Sequence, residues 1–164
     1  MRTLRTFSAM EIKRYMGDVL TSGADVVAHQ CNTSGGFGSG VARAVRDRFP
    51  RVYEQYRKAV GKIGLGMCQV VHTAPGTEGD RLVANLFGQE SYGYDRKRYT
   101  NYEGIYTALE KLRDYCLSHG LKSVAFPWKM SCDRGGADWR VVCTMIQVVF
   151  EPTEITVEFW ELKD

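Results

Sequence analysis

The chain has 164 residues, 44% hydrophobic and 25% charged, with a formal net charge of +3. Its size suits one domain spanning 1–164 around one core, and its composition excludes disorder; no stretch approaches the roughly 18 apolar residues of a membrane span. Lys and Arg alternate with acids along the chain, which argues against the concentrated basic stripe of a nucleic-acid groove.

In chain order, AMEIKRYM (9–16) is expected to be a strand that turns at Gly17 and Asp18. ADVVAHQC (24–31) is short, apolar and nearly unbroken, as in a strand covered on both faces. It enters the glycine loop NTSGGFGSG (32–40), after which VARAVRDRF follows a helical period. Pro50 either kinks this helix or starts a new one, because it lacks the amide a helix interior requires, and helical register continues to Val60. LGMCQVVH (65–72) and RLVANLFG (81–88) flank the turn PGTEGD and suggest a hairpin.

Beyond the tyrosine-rich segment QESYGYDRKRY, Thr100 and Glu103 fit a capping box. The stripe Ile105, Ala108, Leu109, Leu112 and Cys116 makes the following helix amphipathic, and Gly120 is placed to end it. KSVAF then leads into Pro127 and the loop WKMSCDRGGADW. A helix bearing Val141, Val142, Met145, Ile146 and Val149 follows, and a strand in TEITVEFWE ends the order. Strands alternating with helices predict an α/β domain with a mostly parallel or mixed sheet and helices on both faces.

The two glycine-rich loops, 32–40 and 131–137, fall after strands, where open α/β sheets bind ligands, and are expected to form two walls of one cleft. Glycine lets a ligand approach the backbone, and a helix N-terminus offers unpaired N–H groups to an anion, so a diphosphate is the natural occupant. Neither a P-loop nor a G-x-G-x-x-G fingerprint is present. Asp18 either stabilises its turn or accepts a hydrogen bond from an adenine amino group. Asn32 suits a ribose hydroxyl or a lytic water, or else satisfies the loop backbone. Asp133 and Asp138 can each orient a water or bind a ribose hydroxyl, while Asp138 is equally placed to be a helix N-cap.

His29, His72 and His119 show no metal-ligand spacing, and the five cysteines, without a C-x-x-C pair, are expected to be reduced thiols. No metal or cofactor is expected. Tyr92, Tyr94 and Tyr99, beside Arg96, Lys97 and Arg98, can stack RNA bases or close over a small nucleotide. MRTLRTFSAM lacks the apolar run of a signal peptide, so cytoplasmic location is the expectation.

These same residues carry a resemblance. Gly17-Asp18-Val19-Leu20, the run from Asn32 to Ala42, Asn85–Gln89 with Thr100–Glu103, and Pro127 followed by Gly135-Gly136-Ala137-Asp138-Trp139 resemble the motifs of the macrodomain family. The resemblance implies a three-layer α/β/α fold with a mixed central sheet and metal-independent ADP-ribose binding. It is strongest to small stand-alone members that include ADP-ribose-1''-phosphate phosphatases and ADP-ribosyl hydrolases. By position it implies that Asp18, with Val19, takes the adenine, and that Asn32 faces the distal ribose. The backbone of Gly38, Ser39, Gly40 and Val41, with that of Gly135, Gly136 and Ala137, would hold the diphosphate. Asp133 or Asp138 would be the acid nearest the scissile end.

Three departures stand out. Phe37 occupies a place where many members have histidine, the segment around Gln89 lacks a catalytic lysine, and WKMSCDR is longer than the usual loop and has lost its glycine pattern. The expected function is binding of ADP-ribose or ADP-ribose-1''-phosphate with removal of the 1''-phosphate, Asn32 and one aspartate positioning water. The alternatives are ADP-ribosyl hydrolysis, a non-catalytic reader or scavenger of ADP-ribosylated macromolecules and, last, an RNA-binding module. Neither membrane attachment nor direct nucleic-acid recognition is expected.

Overall fold

The computed structural model describes residues 12–38, 40–93, 95 and 97–163. Six strands are β1 (Ile12–Met16), β2 (Val26–Asn32), β3 (Cys68–His72), β4 (Leu82–Gln89), β5 (Ser123–Pro127) and β6 (Thr156–Glu161). Four helices are α1 (Gly40–Arg48), α2 (Pro50–Ala59), α3 (Tyr102–Ser118) and α4 (Trp139–Phe150), and a 3-10 turn covers Val19–Thr21. The sheet order is β1-β6-β5-β2-β4-β3. Every pairing is parallel except that of β3 with β4, the expected hairpin, so the sheet is mixed.

Strand alternation divides the core in two. Val26, Ala28, Ala84, Leu86, Val124 and Phe126 pack on α3 and α4. Val27, Cys31, Val83, Phe87 and Ala125 face Val45 of α1 and Val52 and Tyr56 of α2. β2 and β4 are covered on both sides, which explains their unbroken apolar sequence. Pro50 starts α2, where its missing N–H costs nothing, and does not kink α1.

One boundary differs from expectation. The cap of α3 is Asn101, whose side chain accepts from the Gly104 amide at 2.8 Å. Thr100 is buried one residue earlier, its hydroxyl bonded to Gln30 and to the Ser131 carbonyl, so it has no side chain left for capping. The start of the first expected strand, residues 9–11, lies outside the described residues.

Parallel pairing puts the carboxyl ends of β1, β6, β5, β2 and β4 on one edge of the sheet, marked by Met16, Glu161, Pro127, Asn32 and Gln89. Both glycine loops leave from that edge.

Candidate functional site

A cleft with two adjoining lobes runs along this edge. The first lobe, about 470 Å³, is lined by Asp18, Val19 and Leu20, by Pro127–Ser131 and Asp133–Gly135 of the second glycine loop, and by Trp160–Leu162. The second, about 580 Å³, is lined by Asn32, Gly36–Gly38, Arg43 and Tyr92. Gln30, Gly40, Ala42, Gln89 and Arg134 line both. The two loops therefore share one cleft, and the first turn of α1 stands where its lobes meet. An α-helix leaves its first N–H groups without partners inside the helix, which favours an anion at that junction.

In the first lobe Asp18 caps the 3-10 turn, one carboxylate oxygen accepting from the Leu20 amide at 2.9 Å. The turn-forming role weighed for it is thus real, and it also faces the cavity.

Asn32 is placed differently from the expected water-positioning group. Its side-chain oxygen accepts from the amides of Ser34, Gly35 and Gly36, each at 3.1 Å, and from the hydroxyls of Ser34 and Tyr56. Its Nδ2 donates to the Gly36 carbonyl at 2.7 Å. Its oxygen is taken up in shaping the loop that walls the second lobe, and the residue also lines that lobe.

Tyr56, which sequence reasoning missed, completes this arrangement. Fully buried on α2, it donates to Asn32 at 2.9 Å, accepts from the Gly35 amide at 3.1 Å, and packs on Phe37. Burial, the largest cause, pushes its hydroxyl well above its ordinary pKa, so it stays a donor. The only sequence signal was its place on the inner stripe of a helix. Tyr56→Phe is expected to lower unfolding stability by about 1–3 kcal/mol, because it strands buried acceptors of the loop; urea unfolding checks it.

A second polar junction lies on the opposite face of β2. Gln30 donates to Gln89 Oε1 at 2.5 Å and Thr100 Oγ1 at 2.9 Å, and accepts from Ser131 Oγ at 2.6 Å. One amide thus ties together the end of β4, the segment before α3 and the second glycine loop. The sequence signal was a polar residue inside an otherwise apolar strand.

His29 lies under the first lobe, 2% exposed. Asn85 donates to Gln69 Oε1 at 3.0 Å, so its own oxygen accepts, at 2.6 Å, from His29 Nε2–H. Burial holds the imidazole down at about 4 despite the bond to Asn85, and keeps it neutral. His29 is thus a hydrogen-bonded core residue that also forms the cleft floor. Burial likewise pushes the neighbouring Cys31 thiol far up, away from nucleophilic use.

The two candidate acids separate. Asp133 lines the first lobe and is exposed. Asp138 is the N-cap of α4, accepting from the Arg140 amide at 2.9 Å and pairing with its guanidinium at 2.8 Å. That guanidinium, then the backbone N–H, hold its carboxyl below the usual range.

Of the expected diphosphate amides, Gly38, Gly40, Val41 and Gly135 line the cleft. Ala137 N–H instead donates to the Ser131 carbonyl at 3.0 Å, and Gly136, at φ +64°, is packed against the Lys97 backbone. Neither is among the residues lining the cleft. Ser39, and Tyr94 and Arg96 of the tyrosine-rich segment, lie outside the described residues. Within that segment Tyr92 lies over Gly36 and forms the rim of the second lobe.

A family model described as Macro domain matches residues 28–146. Among curated proteins, the ADP-ribose glycohydrolase OARD1 of Homo sapiens is 31% identical over 61 residues, 37% of this chain and 40% of that protein, and the Bos taurus protein of the same name matches over the same share of its length. Among solved structures, a protein of unknown function from Bacteroides thetaiotaomicron superposes with TM-score 0.81 at 27% identity, covering 94% of this chain and 99% of the other. The macrodomain of Mycobacterium tuberculosis DarG gives 0.80 at 22% identity over 92% and 97%, a likeness of fold.

Proposed function

The chain belongs to the macrodomain family, and from that premise we propose that its cleft binds ADP-ribose, with the adenine beside Asp18, the diphosphate at the first turn of α1, and the distal ribose in the lobe walled by residues 32–38. The observation that carries this reading is the position of Gly40 and Ala42, which line both lobes. A helix N-terminus shared by two adjoining lobes suits a ligand with a base at one end, a sugar at the other and two phosphates between.

Recognition without turnover, as a reader or scavenger, is the form the geometry supports best. The described residues lining the distal lobe include no carboxylate, lysine or histidine, and the Asn32 oxygen is engaged by its own loop. Hydrolysis is a second reading, favoured by Arg43 and Arg134 in that lobe, which suit a ligand bearing a 1''-phosphate. It assigns water activation to Asp133, the candidate acid that lines the adjoining lobe.

Calorimetry with ADP-ribose and with ADP-ribose-1''-phosphate, alongside a phosphate-release assay, tests both. Asp18→Ala is expected to weaken ADP-ribose binding by roughly 10- to 100-fold, the worth of a hydrogen bond to a charged group. Binding with no release above buffer supports the reader. Release that disappears in Asp133→Ala supports the phosphatase, and absence of binding to either compound removes both.

A further inference from the structure

The charge of the chain is unevenly distributed once it is folded. Residues 40–59, which form α1 and α2, hold six of the 22 Lys and Arg and two of the 19 Asp and Glu, net +4; the remaining 16 and 17 net −1. All six cations, Arg43, Arg46, Arg48, Arg51, Arg57 and Lys58, are exposed, while Val45, Val52 and Tyr56 take the inward face. In the sequence these cations are spread over sixteen residues with only Arg57 and Lys58 adjacent, and the helical turn places them on the solvent side of one layer.

We propose that this face of α1 and α2 is a docking surface for a nucleic-acid strand, gripped by its phosphodiester backbone. Five of the six cations are arginine, whose planar fork matches phosphate oxygens, and two are steadied on aromatic rings: Arg46 lies 4.2 Å from the Tyr53 ring centre and Arg48 5.6 Å from that of Phe49. Among the described residues, the ion pair on this face is Arg43–Asp47 at a loose 4.0 Å, so most of the positive field is left for a partner. A membrane is the poorer fit. The large exposed apolar side chains, such as Met16, Leu117 and Leu162, all lie outside residues 40–59, leaving nothing here to insert between lipids. Arg43 also lines the distal lobe, so the surface continues into the mouth of the cleft. The inference stands on charge placement and does not depend on which ligand the cleft takes.

Fluorescence anisotropy of labelled single-stranded DNA and RNA, titrated with the full chain at several salt concentrations, tests it. Four or five phosphate contacts give a slope of log K against log salt near about −3. Arg48→Glu with Lys58→Glu is expected to weaken binding by about tenfold or more and to make that slope shallower by about 1.4, while the affinity for ADP-ribose measured on wild type is retained. The milder pair Arg48→Gln with Lys58→Gln shifts both in the same direction should the reversal unfold the chain. No anisotropy change at about 100 μM protein in low salt, wild-type affinity in both double variants, or equally strong binding to phosphatidylserine vesicles would overturn the assignment.

Discussion

Gly135→Ala is expected to abolish measurable ADP-ribose binding at concentrations that saturate the wild type, and to lower unfolding stability by about 1–3 kcal/mol. A Cβ built at Gly135 comes closer than 3 Å to the Ser131 carbonyl and Thr100 Oγ1, and lies 2.9 Å from Gln30 Nε2. The carbonyl is backbone, so no side-chain rotation relieves the clash. The loop must move, and with it the Gln30 junction and the wall of the cleft. The Gly135 carbonyl also accepts from the Tyr99 and Thr100 amides, which ties the tyrosine-rich rim to the same point. Gly38→Ala is the control for stability, since a Cβ there meets nothing within 4 Å. Thermal unfolding of both variants with calorimetry on Gly135→Ala checks the expectation; equal melting temperatures in all three proteins would contradict it.

A second large effect concerns acid. His29 has its folded-state pKa depressed to about 4, against 6.5 for the unfolded group. Above pH 6.5 both states are neutral at this position and the protein has its full stability. Below 6.5 the unfolded chain takes up a proton that the folded chain cannot accommodate, so stability declines until the folded imidazole also protonates near pH 4. The difference corresponds to on the order of 3 kcal/mol. Asp80, held low by the Ala74 amide and then by His72, loses its contribution only below the usual carboxylate range and so leaves this window clear. Denaturant unfolding from pH 7.5 to 4 is expected to show the decline. His29→Gln keeps a donor for Asn85 and should flatten it, at lower stability overall; an unchanged slope in that variant would remove His29 as the cause.

Much of the fold was legible because burial writes itself into sequence. β2 and β4 read as covered strands since both faces are apolar, and α3 since its buried residues recur every three or four positions. The α3 cap was misplaced by one residue because Thr100 and Asn101 are both capping types; only the tertiary bonds of Thr100 to Gln30 and Ser131 decide between them. The cleft was legible too, since glycine loops after adjacent parallel strands must meet at one edge.

Side-chain allegiance was not. Asn32 can face a ligand or its own loop, and the choice depends on Tyr56 from a helix 24 residues away. Asp138 offered cap or acid, and the amide and guanidinium of Arg140 settle where its carboxylate goes. The basic face was not legible for a geometric reason: cations one to six residues apart, with apolar and acidic residues between most of them, look dispersed in a line and become neighbours on helices.

That one elongated ligand bridges the two lobes is tested most directly by amide resonances during titration with ADP-ribose. Saturable shifts at Gly40, Val41 and Gly135, together with Leu20 at one extreme and Gly38 at the other, are the expected result. Shifts confined to a single lobe, or a spectrum unmoved at millimolar ligand, would contradict it.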